Sequence, residues 1–113
     1  MADVEGFYAF TFIGIGSGMG ALIISGDKIT GFDVLKVKYD GTFTQDVSGQ
    51  ISAKIRMTVP PGVPLVIGIQ PQPKEYPIDF TANLPPNFGT GIPVVLTISG
   101  RPVQVSFTKM RDL

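Results

Sequence analysis

The chain contains no cysteine, no histidine and no tryptophan. Without cysteine there are no disulfides and no thiolate metal sites. That fits a reducing compartment, and a cytoplasmic location is expected. Without histidine there is no Ser-His triad, and the usual base near neutral pH is missing. Charge is sparse and balanced: nine basic and nine acidic side chains give a formal net charge of zero. A nucleic-acid protein needs a basic surface to displace counterions, so the balance argues against that class. The longest apolar stretch, residues 6–15, is about ten residues long and includes Thr11. A membrane helix needs ~20. The opening residues, Met1-Ala2-Asp3-Val4-Glu5, are acidic and lack the basic start of a secretory signal. No repeat of solenoid period is evident. Neither a membrane nor a nucleic acid is expected as a partner.

What is present is alternation. In residues 50–59, Ile51, Ala53, Ile55, Met57 and Val59 point one way. Gln50, Ser52, Lys54, Arg56 and Thr58 point the other. This period of two marks a β-strand with one face in a core and the other in water. Similar runs recur at 7–14, 19–25, 28–32, 36–44, 78–84, 94–99 and 103–109. No segment has a good helical period. Both faces of 7–14 are apolar, which predicts a central strand or one buried on both sides. Gly26-Asp27 suits a two-residue hairpin turn. A second tight turn is expected at Gly100-Arg101. Gly41 in mid-strand predicts a bulge or a close backbone approach. Residues 60–77 hold six prolines, which predicts a long irregular excursion with a short strand at 65–69. The sum is one all-β domain spanning residues 1–113, with little or no helix. Its seven or eight antiparallel strands are joined as hairpins into an up-and-down barrel or a sandwich. The barrel is preferred, because closure removes exposed edges.

Catalytic equipment is thin. Gly16-Ser17-Gly18-Met19-Gly20-Ala21 matches a dinucleotide-binding fingerprint, but Leu22 to Gly26 read as a strand and a turn rather than a helix. Among the carboxylates, Asp33 with Asp40, or Asp79 with Asp40, are the pairs to weigh for acid-base work. Most carboxylates fall in turns or on outward strand faces, where solubility explains them. No calcium-loop spacing appears. The expectation is a protein that is not an enzyme and has no cofactor and no metal site. Lys36, Lys38, Lys54 and Arg56 are neighbours across two strands and read as a solvated face.

The apolar-aromatic stock is large. Phe10, Phe12, Phe43, Ile55, Phe80 and Phe107 are the candidate lining of the barrel interior. A barrel of about eight strands either closes over its side chains or holds one small ligand. Gly18, Gly20, Gly31 and Gly41 would leave room there. A hydrophobic or lipid-like ligand is the alternative function, with an apolar cavity of roughly 300 Å³ or more as its signature.

The motif order resembles a known family. Gly6-Phe7-Tyr8 opens the chain, and Gly18-Met19-Gly20-Ala21-Leu22 begins a strand. Ile29-Thr30-Gly31-Phe32-Asp33 makes a turn, and Gly41-Thr42-Phe43 another strand. This frame is similar to the GrlR-like family, named for a negative regulator of type III secretion. The likeness spans roughly residues 6–110 and is carried mostly by 6–59. It implies a lipocalin-like β-barrel in a bacterial regulatory protein that forms a homodimer and acts by protein contact. In that family an acidic loop after the fourth strand binds the protein partner. The matching positions here are Gln45, Asp46, Val47 and Ser48, of which Asp46 alone is charged.

Overall fold

A computed structural model describes residues 4–113. Eight strands follow one another: β1 (Gly6–Ile13), β2 (Ser17–Ser25), β3 (Lys28–Asp33), β4 (Lys38–Gln45), β5 (Ile51–Val59), β6 (Tyr76–Leu84), β7 (Thr90–Ile98) and β8 (Arg101–Arg111). They form one antiparallel sheet in the order β6-β5-β4-β3-β2-β1-β8-β7. Every strand therefore pairs with its chain neighbours except that β6 and β7 meet without a ladder, and β8 also returns to pair with β1. The sheet curls into a nearly closed up-and-down barrel, open only along the β6–β7 seam. Pro77 and Pro93 lie on those two edge strands, where a missing ladder donor costs least. The described residues contain no helix, and so none long and apolar enough to cross a membrane.

Alternation sets the core. The expected inward residues of β5, Ile51, Ala53, Met57 and Val59, are buried, as are Leu96, Ile98, Val103, Val105 and Phe107 in the last hairpin. Ile51, Val37 and Val59 are the largest side chains fully removed from water. Each contributes about 1.5–3 kcal/mol of transfer free energy.

The turns follow local chemistry. Ser25 pairs with Lys28, so Gly26-Asp27 is the predicted two-residue hairpin. Gly26 has φ +62, the positive angle that the first position of a type II′ turn requires. The last hairpin turns one residue earlier than expected. Ile98 pairs with Arg101, so Ser99 and Gly100 are the turn residues, with φ of 51 and 74. Two positive angles make a type I′ turn, and its twist matches the flanking strands.

At Gly41 and in β1 one of two expected alternatives holds, and two other expectations are corrected. Gly41 forms no bulge, because the pairing runs unbroken from Ile29 through Gly41 to Ile55. It is a close approach instead: a Cβ there would stand 2.5 Å from the Lys54 carbonyl oxygen. The fourth strand starts at Lys38 rather than Lys36, which has φ 68 and belongs to the preceding turn. Residues 65–69 form a tight reversal, not a strand. The Gly68 amide donates to the Leu65 carbonyl at 3.0 Å, and the Leu65 amide to the Ile69 carbonyl at 3.1 Å. Finally, β1 is central, flanked by β2 and β8, yet it is not buried on both sides: its outer residues Phe7, Thr11 and Ile13 are exposed.

Both mouths are closed. Residues 60–75 cross the mouth where β3, β5 and β7 end. The Ile15 amide donates to the Val66 carbonyl at 2.6 Å, and Arg101 Nη1 to the Ile67 carbonyl at 2.9 Å. At the other mouth Phe88 stacks on Tyr8, with ring centroids 5.3 Å apart, and meets Phe107 edge-on at 5.6 Å. The Tyr8 hydroxyl donates to the Val4 carbonyl at 2.7 Å, tying the N-terminal segment to this plug.

Candidate functional site

The interior retains one small cavity of about 80 Å³, beneath the loop of residues 60–75. Five of the six residues expected to face a ligand line it: Phe10, Phe12, Ile55, Phe80 and Phe107. Phe43 does not. It packs against the core near the opposite mouth, where β4 ends. The glycines do not enlarge the space. Phe12 lies opposite Gly18 and Phe10 opposite Gly20, and their rings occupy the volume a side chain would take. Leu65 and Ile67 reach in from the loop and line the cavity from above. At about 80 Å³ the cavity lies far below the ~300 Å³ at which drug-sized pockets begin.

One carboxylate faces this cavity. Asp33 is 4% exposed and is the buried polar residue among those described. It ends β3 and organises the turn into β4. Its Oδ1 accepts from the Leu35 amide at 2.9 Å and the Val37 amide at 3.2 Å. Its Oδ2 accepts from the Tyr39 hydroxyl at 2.8 Å. Burial first, then the Asp33 charge and this hydrogen bond, push the Tyr39 phenol far above its ordinary value. Tyr39 therefore remains a donor. Phe10 meets the Tyr39 ring edge-on at 5.6 Å.

The carboxylate pairs do not assemble. Asp33 points inward, while its partner Asp40 is an exposed residue of β4. Asp40 and Asp79 are two strands apart, with Arg56 between them in register. Arg56 makes a two-pronged contact with Asp79, at 2.7 and 3.0 Å. Asp79 is lowered and Arg56 raised, in each case chiefly by this hydrogen bond. Both groups are solvent-exposed, and such pairs add little to stability. Threonines and Asp40 separate the cations of this face: Lys38 pairs with Thr58, Lys54 with Thr42, and Arg56 with Asp40. Among the described residues no three Asp or Glu side chains gather as a metal site would require.

Gln45 ends β4, and Asp46, Val47 and Ser48 lie in the β4–β5 turn that follows, at the mouth opposite the cavity. Asp46 Oδ1 accepts from the Ser48 amide at 2.9 Å, the Ser48 hydroxyl at 2.6 Å and the Gln50 amide at 3.0 Å. The Ser48 hydrogen bond leads in holding its carboxyl below the usual range. Gln45 Nε2 donates to the Gly49 carbonyl at 3.1 Å. Asp46 is thus spent inside its own turn. What the turn offers outward is Val47, whose side chain is wholly in solvent.

A second surface is larger. The outer faces of β1, β2 and β3 meet in register: Phe7 with Ile23, Ala9 with Ala21 and Phe32, and Thr11 with Met19. The Val34 amide donates to the Met19 carbonyl at 3.0 Å, which extends the row. Phe32 is 61% exposed and Val34 64%. The outward residues of β1 and β2, from Phe7 to Ile13 and Ser17 to Ile23, include no charge. At about 150–200 Å² per large side chain, the exposed parts of Phe7, Ile13, Met19, Ile23, Phe32 and Val34 sum to roughly 500 Å². That is the upper end of what a monomer leaves open. The signal is already in the sequence as two apolar faces on one strand, a pattern that a central strand shares with one buried on both sides. Phe88, Val66 and Ile67 were missed altogether, because plugs contributed by loops follow no period.

Compared with known proteins, the chain matches no family model and no curated protein.

Proposed function

We propose that the protein is a non-enzymatic β-barrel that acts by protein contact and pairs with a second copy of itself through the outer face of β1, β2 and β3. The apolar face carries this reading: it bears no charge on β1 and β2, and Lys28, Lys38 and Arg111 stand at its margins. Charged residues are depleted at the cores of interfaces. Here Thr11, Thr30 and Ser17 border the apolar residues. With that border the footprint approaches the ~800 Å² that each partner contributes to a standard interface. The GrlR-like resemblance points the same way, to a dimeric regulator. In that reading the β4–β5 turn, with Val47 at its tip, remains free for a different protein partner, and the setting is cytoplasmic. The alternative of a lipid-like cargo is less favoured, because the interior is nearly filled.

Sedimentation equilibrium at about 10–100 μM tests the pairing. The expected species is a dimer that Phe32→Lys converts to monomer with an unchanged far-UV spectrum. A wild-type monomer across that range overturns self-pairing. An alternative face is indicated if the dimer survives both Phe32→Lys and Ile23→Lys.

A further inference from the structure

We propose that the Asp33 end of the interior cavity is a binding site for a small organic ammonium ion. This does not depend on the outer face or on pairing.

Asp33 is 4% exposed, and no lysine or arginine pairs with it among the described residues. Burying an anion without a counter-ion is costly, and hydrogen bonds offset only part of that cost. A carboxylate has about four acceptor positions. Three are taken, by the Leu35 and Val37 amides and the Tyr39 hydroxyl. The remaining one is on Oδ2, beside Tyr39. Both residues line the cavity. The Tyr39 hydroxyl gives its proton to Asp33, so its own oxygen still has room to accept. An N–H donor lodged here therefore finds two oxygens.

The rest of the wall selects what carries that donor. It is apolar and aromatic, with Phe10, Phe12, Phe80 and Phe107 among its residues. Aromatic faces attract cations, more strongly where water is excluded. A metal ion would find one carboxylate and almost no other oxygen. A neutral hydrophobe would gain the apolar contacts and leave the charge unanswered. An ammonium with a short alkyl body answers both. The volume of about 80 Å³ limits the body. The space beneath the loop therefore suits an ion with a short alkyl body. Ethylammonium and dimethylammonium are such ions.

The experiment is an NMR titration of the full chain with ethylammonium chloride, against ethanol and against sodium chloride at matched ionic strength. The expected result is a saturable shift of the Leu35 and Val37 amides and of the Phe10 and Tyr39 ring signals. Ethanol is expected to bind at least tenfold more weakly and sodium chloride to give no such shift. Asp33→Asn is expected to abolish the response. Because that change also touches the turn, Leu96→Phe provides a second route: it fills the cavity and leaves the carboxylate in place. It is expected to abolish binding while the spectrum of the outer strands is retained. The site is disproved by equal response to ethanol, by shifts confined to exposed carboxylates such as Asp79, or by no saturation at accessible concentrations.

Discussion

Phe10 lies opposite Gly20 in the β1–β2 ladder, and its ring occupies the space the glycine leaves. A Cβ on Gly20 would stand 2.6 Å from Phe10 Cζ and 2.8 Å from Asp33 Cα. The second contact is backbone and cannot rotate away. Gly20→Ala is therefore expected to destabilise the barrel by about 1–3 kcal/mol, the usual cost of overpacking. Trimming the ring with Phe10→Leu should not restore the loss. Urea midpoints of the single and double variants check this. A Gly20→Ala protein as stable as the wild type would show that β2 and β3 separate more easily than their register implies.

The outer face yields a second expectation. Phe32 and Ile23 are exposed, Phe32 in register with Ala21 and Lys38 and Ile23 with Phe7 and Thr30. Replacing an exposed residue on a strand face normally changes stability by less than about 0.5 kcal/mol. Phe32→Lys should therefore leave the thermal midpoint nearly unchanged while dissociating the pair. A large fall in midpoint at concentrations where both proteins are monomeric would mean that Phe32 supports the fold itself.

The fold was legible because its rule is local. Residues 50–59 show their two faces without reference to any other segment, and the Gly26-Asp27 turn announces its own φ. The same alternation places Leu96, Ile98, Val103, Val105 and Phe107 inside. What could not be read depends on contacts between distant segments. Ile67 is buried because the 60–75 loop folds back over the mouth, and Phe88 because the 85–89 loop does so at the other. Neither loop has a period. Asp33 is visible as a turn residue, but not as a carboxylate enclosed with Tyr39, because the cavity they share is lined by side chains from distant segments. The apolar outer face of β1 had a sequence signal that two physical situations share: cover by another part of the chain, or cover by something else.

Alkaline titration separates Tyr39 from an ordinary tyrosine. Its phenol is raised above the usual value of about 10 by burial and by Asp33. Between the unfolded and folded values, the folded state holds a proton that the unfolded state has lost. The associated stability is complete below about pH 10 and declines as pH rises above it. Absorbance of tyrosinate should thus show Tyr39 ionising only together with unfolding. Tyr39→Phe should weaken this alkaline loss. A Tyr39 signal that titrates near pH 10 in a folded protein contradicts the buried hydrogen bond.

The loop over the cavity is held by two ties of different kinds. The Ile15 amide reaches the Val66 carbonyl at 2.6 Å, and Arg101 reaches the Ile67 carbonyl at 2.9 Å. Hydrogen bonds to charged groups are worth about 1.5–3 kcal/mol. Arg101→Ala should therefore raise the population of the lifted loop by about tenfold or more, since 1.4 kcal/mol is a factor of ten. The strand ladders are untouched, so most amides should keep their exchange rates. The Ile15 amide is the reporter, because its acceptor moves with the loop. Its exchange should quicken by that factor in Arg101→Ala and by less in Arg101→Lys, which keeps a donor on a different stem. If Ile15 exchanges at the wild-type rate in both, the loop is held by Ile67 in the core and the guanidinium only rests on it.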